Sequence, residues 1–160
     1  KFANVLKDHG IKKGDRVCIY VPMIPELAVS LLACARIGAV HSVVFAGFSA
    51  TALATRINDC DCKMVITADG SYRGAKTIDL KGIVDEALKS CPVTTDVLVV
   101  KRINSEVEMK EGRDKWVQPL LDSASPICPI EIMDAGLRDN FGMKTSLNFI
   151  INLPRGQKKT

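Results

Sequence analysis

Short apolar runs in this sequence alternate with longer stretches whose apolar residues recur at helical spacing. No other feature constrains the fold as tightly. Arg16–Val21 (RVCIYV), Val40–Phe45 (VHSVVF), Lys63–Thr67 (KMVIT) and Asp96–Arg102 (DVLVVKR) read as strands. Between them, Pro25 opens a helix to about Ile37, Ser49 caps one through Asp59, and Asp79 caps one through Ser90. Lys1–His9 reads as the end of an amphipathic helix and Arg113–Ala124 as a short one, while Ala68–Lys76 reads as a loop with two glycines. Strands alternating with helices of this length imply βαβ units and a parallel sheet. Right-handed crossovers then cover it with helices. The expected fold is α/β: a doubly wound, mainly parallel sheet with helices on both faces. Runs such as LVV and VVF fit burial on both sides. The helix from Pro25, apolar nearly all round, is expected to be largely buried. Lys81, Asp85 and Lys89 stand at i, i+4 spacing on the expected wet face of their helix.

Composition excludes several classes. Hydrophobic residues make up 47% and charged residues 25%, the balance of an ordinary globular chain. The longest apolar run, Leu27–Ile37, is broken by Ser30 and Arg36 and falls short of the roughly 20 apolar residues a membrane span needs. The net charge of +4 is local: acids and bases balance up to residue 134, and the excess comes from Arg138, Lys144, Arg155, Lys158 and Lys159 against Asp139. A basic groove for nucleic acid needs its cations on the folded body, so no nucleic-acid partner is expected. The six cysteines sit mostly in apolar stretches and read as reduced thiols of a cytoplasmic protein. Cys60-x-Cys62 lacks the second pair of a zinc site and the gap of a redox motif. The chain has no secretory signal and opens at Lys1 inside a helical pattern, so it is expected to be a fragment.

In an open α/β sheet, ligands gather at the carboxyl ends of the strands. Phe45-Ala46-Gly47-Phe48 follows the second strand there, and Tyr72-Arg73-Gly74-Ala75-Lys76 follows the third. If those strands are neighbours, the loops share one rim. Gly47 lets a flat ring approach the backbone, with Phe45 and Phe48 as apolar walls. Arg73 and Lys76 suit a phosphate, one as a bidentate fork and the other as a point charge. Together the loops suit an adenine nucleotide with an exposed phosphate. A solvated turn is the plainer reading of Arg-Gly-x-Lys on its own. His41 is expected to be a core histidine, and Asp69 an Asx-type turn residue rather than a base. No nucleophile elbow, Walker loop, dinucleotide fingerprint or metalloprotease motif is present.

Pro22–Leu27 (PMIPEL), Leu32–Val40 (LACARIGAV), Val43–Ser49 (VVFAGFS), Arg56–Asp59 (RIND), Tyr72–Lys76 (YRGAK) and Glu111–Trp116 (EGRDKW) closely resemble the acetyl-CoA synthetases. These are AMP-forming acetate–CoA ligases of the adenylate-forming superfamily. The likeness runs from residue 1 to about 135. It implies a two-step reaction using ATP, Mg²⁺, acetate and coenzyme A. It also implies that Arg73, Gly74, Ala75 and Lys76 bind the phosphorylated nucleotide end of coenzyme A, with Phe45, Ala46 and Gly47 against its adenine. After Met133-Asp134-Ala135 the text leaves the family pattern, and Val117 stands where the family often has a second Trp.

The expected layout is therefore residues 1–134 as the Rossmann-like part of an AMP-binding domain and residues 135–160 as a foreign basic tail, from a disrupted reading frame or a mispredicted gene. Within the tail, Ser146–Leu153 reads as a strand or an apolar helix turn. The ATP phosphate loop, acetate pocket, metal-binding element and C-terminal domain are absent from the text. The chain alone is expected to bind coenzyme A weakly, with no catalytic or metal-binding residue and no ligase activity. The alternatives are a binding or assembly module that self-associates through an exposed sheet edge, a non-functional truncated product, and a metal or redox role for Cys60 and Cys62.

Overall fold

A computed structural model of the chain describes residues 1–94 and 96–124. Cys128 and residues 135–160, with the expected element at Ser146–Leu153, lie outside the described residues. The elements in chain order are α1 (Phe2–Asp8), β1 (Arg16–Tyr20), α2 (Pro25–Ile37), β2 (Val40–Val43), α3 (Ala50–Asp59) and β3 (Met64–Ala68). There follow β4 (Ser71–Arg73), β5 (Lys76–Ile78), α4 (Leu80–Leu88), β6 (Asp96–Val100), β7 (Asp114–Trp116) and α5 (Val117–Ser123).

Among the described residues, five strands form a parallel sheet in the order β2-β1-β3-β6-β7, as the alternating pattern implied. β-Branched and apolar residues fill its centre: all of β3 and Val97–Val100 of β6 are buried. The chain steps outward from β1 to β2, then back across β1 to β3. Right-handed crossovers in opposite directions put α2 and α3 on opposite faces. Local chemistry starts the helices where expected. Pro25 begins α2, the Ser49 hydroxyl accepts from Ala52 N–H at 3.3 Å, and the Asp79 carboxylate accepts from Gly82 N–H at 2.8 Å.

Several expectations are corrected. β2 is the edge strand, so Val40 and Val43 are exposed, and His41 is an exposed edge residue rather than a core one. α2 buries only Ser30, Ala33 and Cys34; Ala28, Val29, Leu32 and Ala35 form an uncovered stripe, with Leu32 71% exposed. The segment after the third strand is no plain loop. β4 and β5 form an antiparallel hairpin around Gly74-Ala75. Within 113–124, residues 114–116 pair with β6 as β7 before α5 begins. Pro119 falls in the first turn of α5, where its missing N–H is tolerated.

The wet face assigned to Lys81 is also wrong. Its side chain is 1% exposed, and its ammonium donates to Asp85 Oδ2 at 2.7 Å and to the Glu108 carbonyl at 2.9 Å. The connection from β6 to β7 folds back over α4 and covers it. Lys89 pairs with Glu86 instead of Asp85.

Candidate ligand-binding site at the carboxyl edge of the sheet

The turn after β2 closes when Phe48 N–H donates to the Phe45 carbonyl at 3.1 Å. Gly47 takes its third position with φ +122°, a conformation that side chains strain to adopt. A Cβ at Gly47 would meet only a Phe45 ring carbon at 3.8 Å, so the glycine is needed for backbone conformation and not for space. Phe45 and Phe48, 69% and 42% exposed, stand beside it with ring centroids 6.1 Å apart at 59°. Both apolar walls face water.

Tyr20, the last residue of β1, holds this turn from below. Its phenol accepts from Gly47 N–H at 3.1 Å and donates to the Phe48 carbonyl at 2.8 Å. Burial raises the Tyr20 pKa, against the lowering effect of the Gly47 amide, so the group stays a phenol and keeps its donor. The sequence carries a signal for it: a tyrosine ending an apolar strand must find a hydroxyl partner when buried.

The second loop is the β4–β5 hairpin. Arg73 and Lys76 are register partners flanking its two-residue turn. A directly opposed pair projects from the same face of a hairpin. Gly74 has φ +63° and Ala75 does not lie in the positive region, the pattern of a turn with glycine first. Both cationic side chains are exposed.

Asp69 fixes the root of the hairpin. It is fully buried, and its carboxylate accepts from Gly70 N–H at 2.8 Å, Arg102 N–H at 2.8 Å, Ile103 N–H at 3.1 Å and Ser105 N–H at 3.2 Å. The contact to Gly70 is to the adjacent amide and not the one two residues on, so the expected Asx-type turn gives way to an acceptor shared by amides of two segments. The longer contacts tie the hairpin to the end of β6. Gly70 must be small there, since a Cβ would lie 2.5 Å from Ile103 Cδ1 and 2.8 Å from the Ile78 carbonyl.

The strands carrying the two loops are not neighbours: β1 stands between β2 and β3. Both loops still leave the carboxyl end of one parallel sheet, on either side of the strand where the order reverses. Phe45, Ala46 and Gly47 follow β2, and Arg73, Gly74, Ala75 and Lys76 follow β3. A cavity of about 590 Å³ lined by Lys101, Trp116, Gln118, Pro119, Asp122 and Ser123 contains none of these residues. Among the described residues there is no cluster of His, Cys, Asp or Glu able to hold a metal. Their cysteines are free thiols, and no described helix is long and apolar enough to cross a membrane.

A parallel α/β sheet with irregular loops at its carboxyl edge is the layout in which open α/β domains bind their ligands. The chain belongs to the AMP-binding enzyme family, which matches over residues 1–134. It is similar to acetyl-coenzyme A synthetase 2 of Pseudomonas aeruginosa, with 58% identity over 135 residues, covering 84% of this chain and 21% of that protein. The acetyl-coenzyme A synthetase of Alkalilimnicola ehrlichii is 54% identical over the same length and coverage. The chain thus spans about a fifth of the length of these relatives. Among solved structures, acetoacetyl-CoA synthetase from Streptomyces lividans superposes with a TM-score of 0.70 at 28% identity, covering 80% of this chain and 19% of that one.

Proposed function

We propose that residues 1–134 are part of an acetate–CoA ligase and carry its docking loops for the nucleotide end of coenzyme A. In the complete reaction, acetate attacks the α-phosphorus of ATP to give acetyl-adenylate and pyrophosphate. The coenzyme A thiolate then attacks the acyl carbon and releases AMP. In this reading Arg73 and Lys76 hold the 3′-phosphate, with Gly74 and Ala75 keeping the turn between them small. The adenine lies on the Ala46–Gly47 backbone beside Phe45. These residues orient the thiol by a remote grip and do no chemistry themselves.

The observation that supports this reading most directly is the pairing of Arg73 with Lys76 across the hairpin. Two cations projecting from one face match a phosphate dianion. The relatives bear the name of the same ligase.

The 160 residues by themselves do not complete the reaction in this reading. Their sequence contains no Ser/Thr/Gly-rich loop ending in Pro-Lys-Gly to hold ATP phosphates with Mg²⁺, and the family match covers residues 1–134. The location assigned is cytoplasmic, in keeping with free thiols among the described residues.

Calorimetry with coenzyme A and 3′-dephospho-coenzyme A tests the site. The 3′-phosphate should tighten binding about tenfold, equivalent to one charge-assisted contact, and Arg73→Ala should abolish that difference. Equal affinity of the unaltered chain for both ligands would overturn the reading. Acetate-dependent ATP–pyrophosphate exchange should be absent, and a clear exchange signal would refute the claim of incompleteness.

A second reading, self-association with another copy, is favoured by the open β2 edge and the α2 stripe. Ala28 and Ala35, beside Val29 and Leu32, give that stripe small residues on which a second helix could lie close. Sedimentation velocity should then show a dimer that Leu32→Glu dissociates. A monomer at all concentrations would remove this reading.

A further inference from the structure

We infer that Tyr20 is a positioning residue for the coenzyme A adenine, acting through the turn at 45–48. The inference rests on the reading of that turn given above. The geometry behind it is specific. The N–H that Tyr20 receives belongs to the Ala46–Gly47 peptide, and the carbonyl it donates to belongs to the Phe48–Ser49 peptide. One phenol therefore sets two peptide planes on either side of Gly47, the backbone on which a flat ring would rest.

The Phe48–Ser49 plane is also held by the Ser49 cap of α3, whereas the Ala46–Gly47 plane has no such second anchor. The Phe45–Phe48 hydrogen bond closes the turn, but Phe45 stands largely in water, Phe48 is only part-buried, and Gly47 has no side chain to pack. Tyr20 itself is fully buried and sits in the β-sheet register between Val43-side and Met64-side strands, paired with Thr67 of β3. It is therefore a buried, strand-borne group that hydrogen-bonds the turn twice. Its strand also lies between those carrying the turn and the hairpin, so Tyr20 references one loop to the sheet that bears the other. A phenylalanine would keep the packing and remove only the oxygen.

Two measurements on the 160-residue chain test this, and they separate Tyr20 from the site reading. The first is amide hydrogen exchange at Gly47, which needs no ligand. The amide should be protected in the unaltered chain and exchange about tenfold faster in Tyr20→Phe, while Val65 and Ile66 amides in β3 keep their protection. The second is calorimetry. Tyr20→Phe should weaken coenzyme A and 3′-dephospho-coenzyme A by the same factor, about five- to tenfold, leaving their ratio intact. Arg73→Ala should do the reverse, collapsing the ratio and leaving 3′-dephospho-coenzyme A unaffected.

A Gly47 amide exchanging at the rate of a solvated loop in the unaltered chain overturns the role of Tyr20, even if the variant does not fold. Unchanged affinities in a folded Tyr20→Phe overturn it as well, with the site reading intact if Arg73→Ala still collapses the ratio. Failure of the unaltered chain to bind coenzyme A overturns the site reading and the adenine role with it, whatever the exchange data show.

Discussion

Lys81 and Asp114 meet at 2.8 Å with both side chains withdrawn from water. Asp114 also accepts from Lys110 N–H at 2.8 Å and from the Arg113 guanidinium, which in turn pairs with Asp85. Asp85 closes the circuit by pairing with Lys81 at 2.7 Å. Two cations and two carboxylates thus clamp α4 to β7. Removing one member of a buried ionic group leaves its partners uncompensated. Lys81→Met should lower the unfolding free energy by about 3 kcal/mol, the lower end for such a loss because Arg113 remains. Urea denaturation reads this out. Lys89→Met, which touches only an exposed pair with Glu86, should leave the midpoint where it was.

Acid should weaken the fold through the same cluster. Burial works to raise the Asp114 pKa, but Arg113, Lys81 and the Lys110 amide outweigh it and hold the carboxyl below its ordinary value. Lys63 and the Lys12 amide lower Asp15 likewise. A carboxyl depressed in the folded state takes up a proton less readily than the unfolded chain does. Its stabilising effect is complete above the unfolded pKa, near about 4, and is lost as pH falls through the folded value. The urea midpoint should be level from neutral pH down to about 5 and fall below about 4. Asp114→Asn should start lower and fall less. A midpoint unmoved between pH 5 and pH 3 would contradict the assignment.

Thiol chemistry should be selective. Burial pushes Cys34 up to about 11 and Cys62 up to about 12, and raises Cys18 and Cys91 as well. The reactive species is the thiolate, so these groups are poor nucleophiles near neutral pH. Cys60 is partly exposed. Among the described cysteines, iodoacetamide at pH 8 under native conditions should modify Cys60 first, as peptide mass mapping would show. Early labelling of Cys18 would contradict the burial of β1.

Asp69→Ala should free the hairpin from the sheet. The amides of Gly70, Arg102, Ile103 and Ser105 would lose their shared acceptor. Leaving several such donors unpaired costs about 3 kcal/mol or more. Faster hydrogen exchange at Ile103 and Ser105, and proteolytic nicking within 101–113, are the expected signs. Retained protection at those amides would mean that the carboxylate is dispensable.

The sequence discloses those parts of the molecule whose causes are local. Pro25, Ser49 and Asp79 start their helices through their own backbone and side-chain chemistry, and β3 and β6 announce burial by unbroken apolar runs. The hairpin had a usable signal in Gly74-Ala75 at two-residue turn spacing, but exposed strands of three residues offer no apolar alternation to support it. Sheet order is a long-range property, so nothing within VHSVVF distinguishes an edge from a centre. Lys81 looked solvated because the residues that bury it arrive from the β6–β7 connection. The two loops at the carboxyl edge were legible because strand ends mark them. The partners of Tyr20 and Asp69 were not, since each is set by which strands stand side by side.

The polarity of the parallel sheet has a practical use. Cys60 lies just before the amino end of β3, while the Arg73–Lys76 hairpin follows its carboxyl end. The strand's five residues, at about 3.3 Å each, separate them. A dye coupled to Cys60 would ride on the far pole as a bystander, giving a fluorescent handle for titrations without crowding the loops under study.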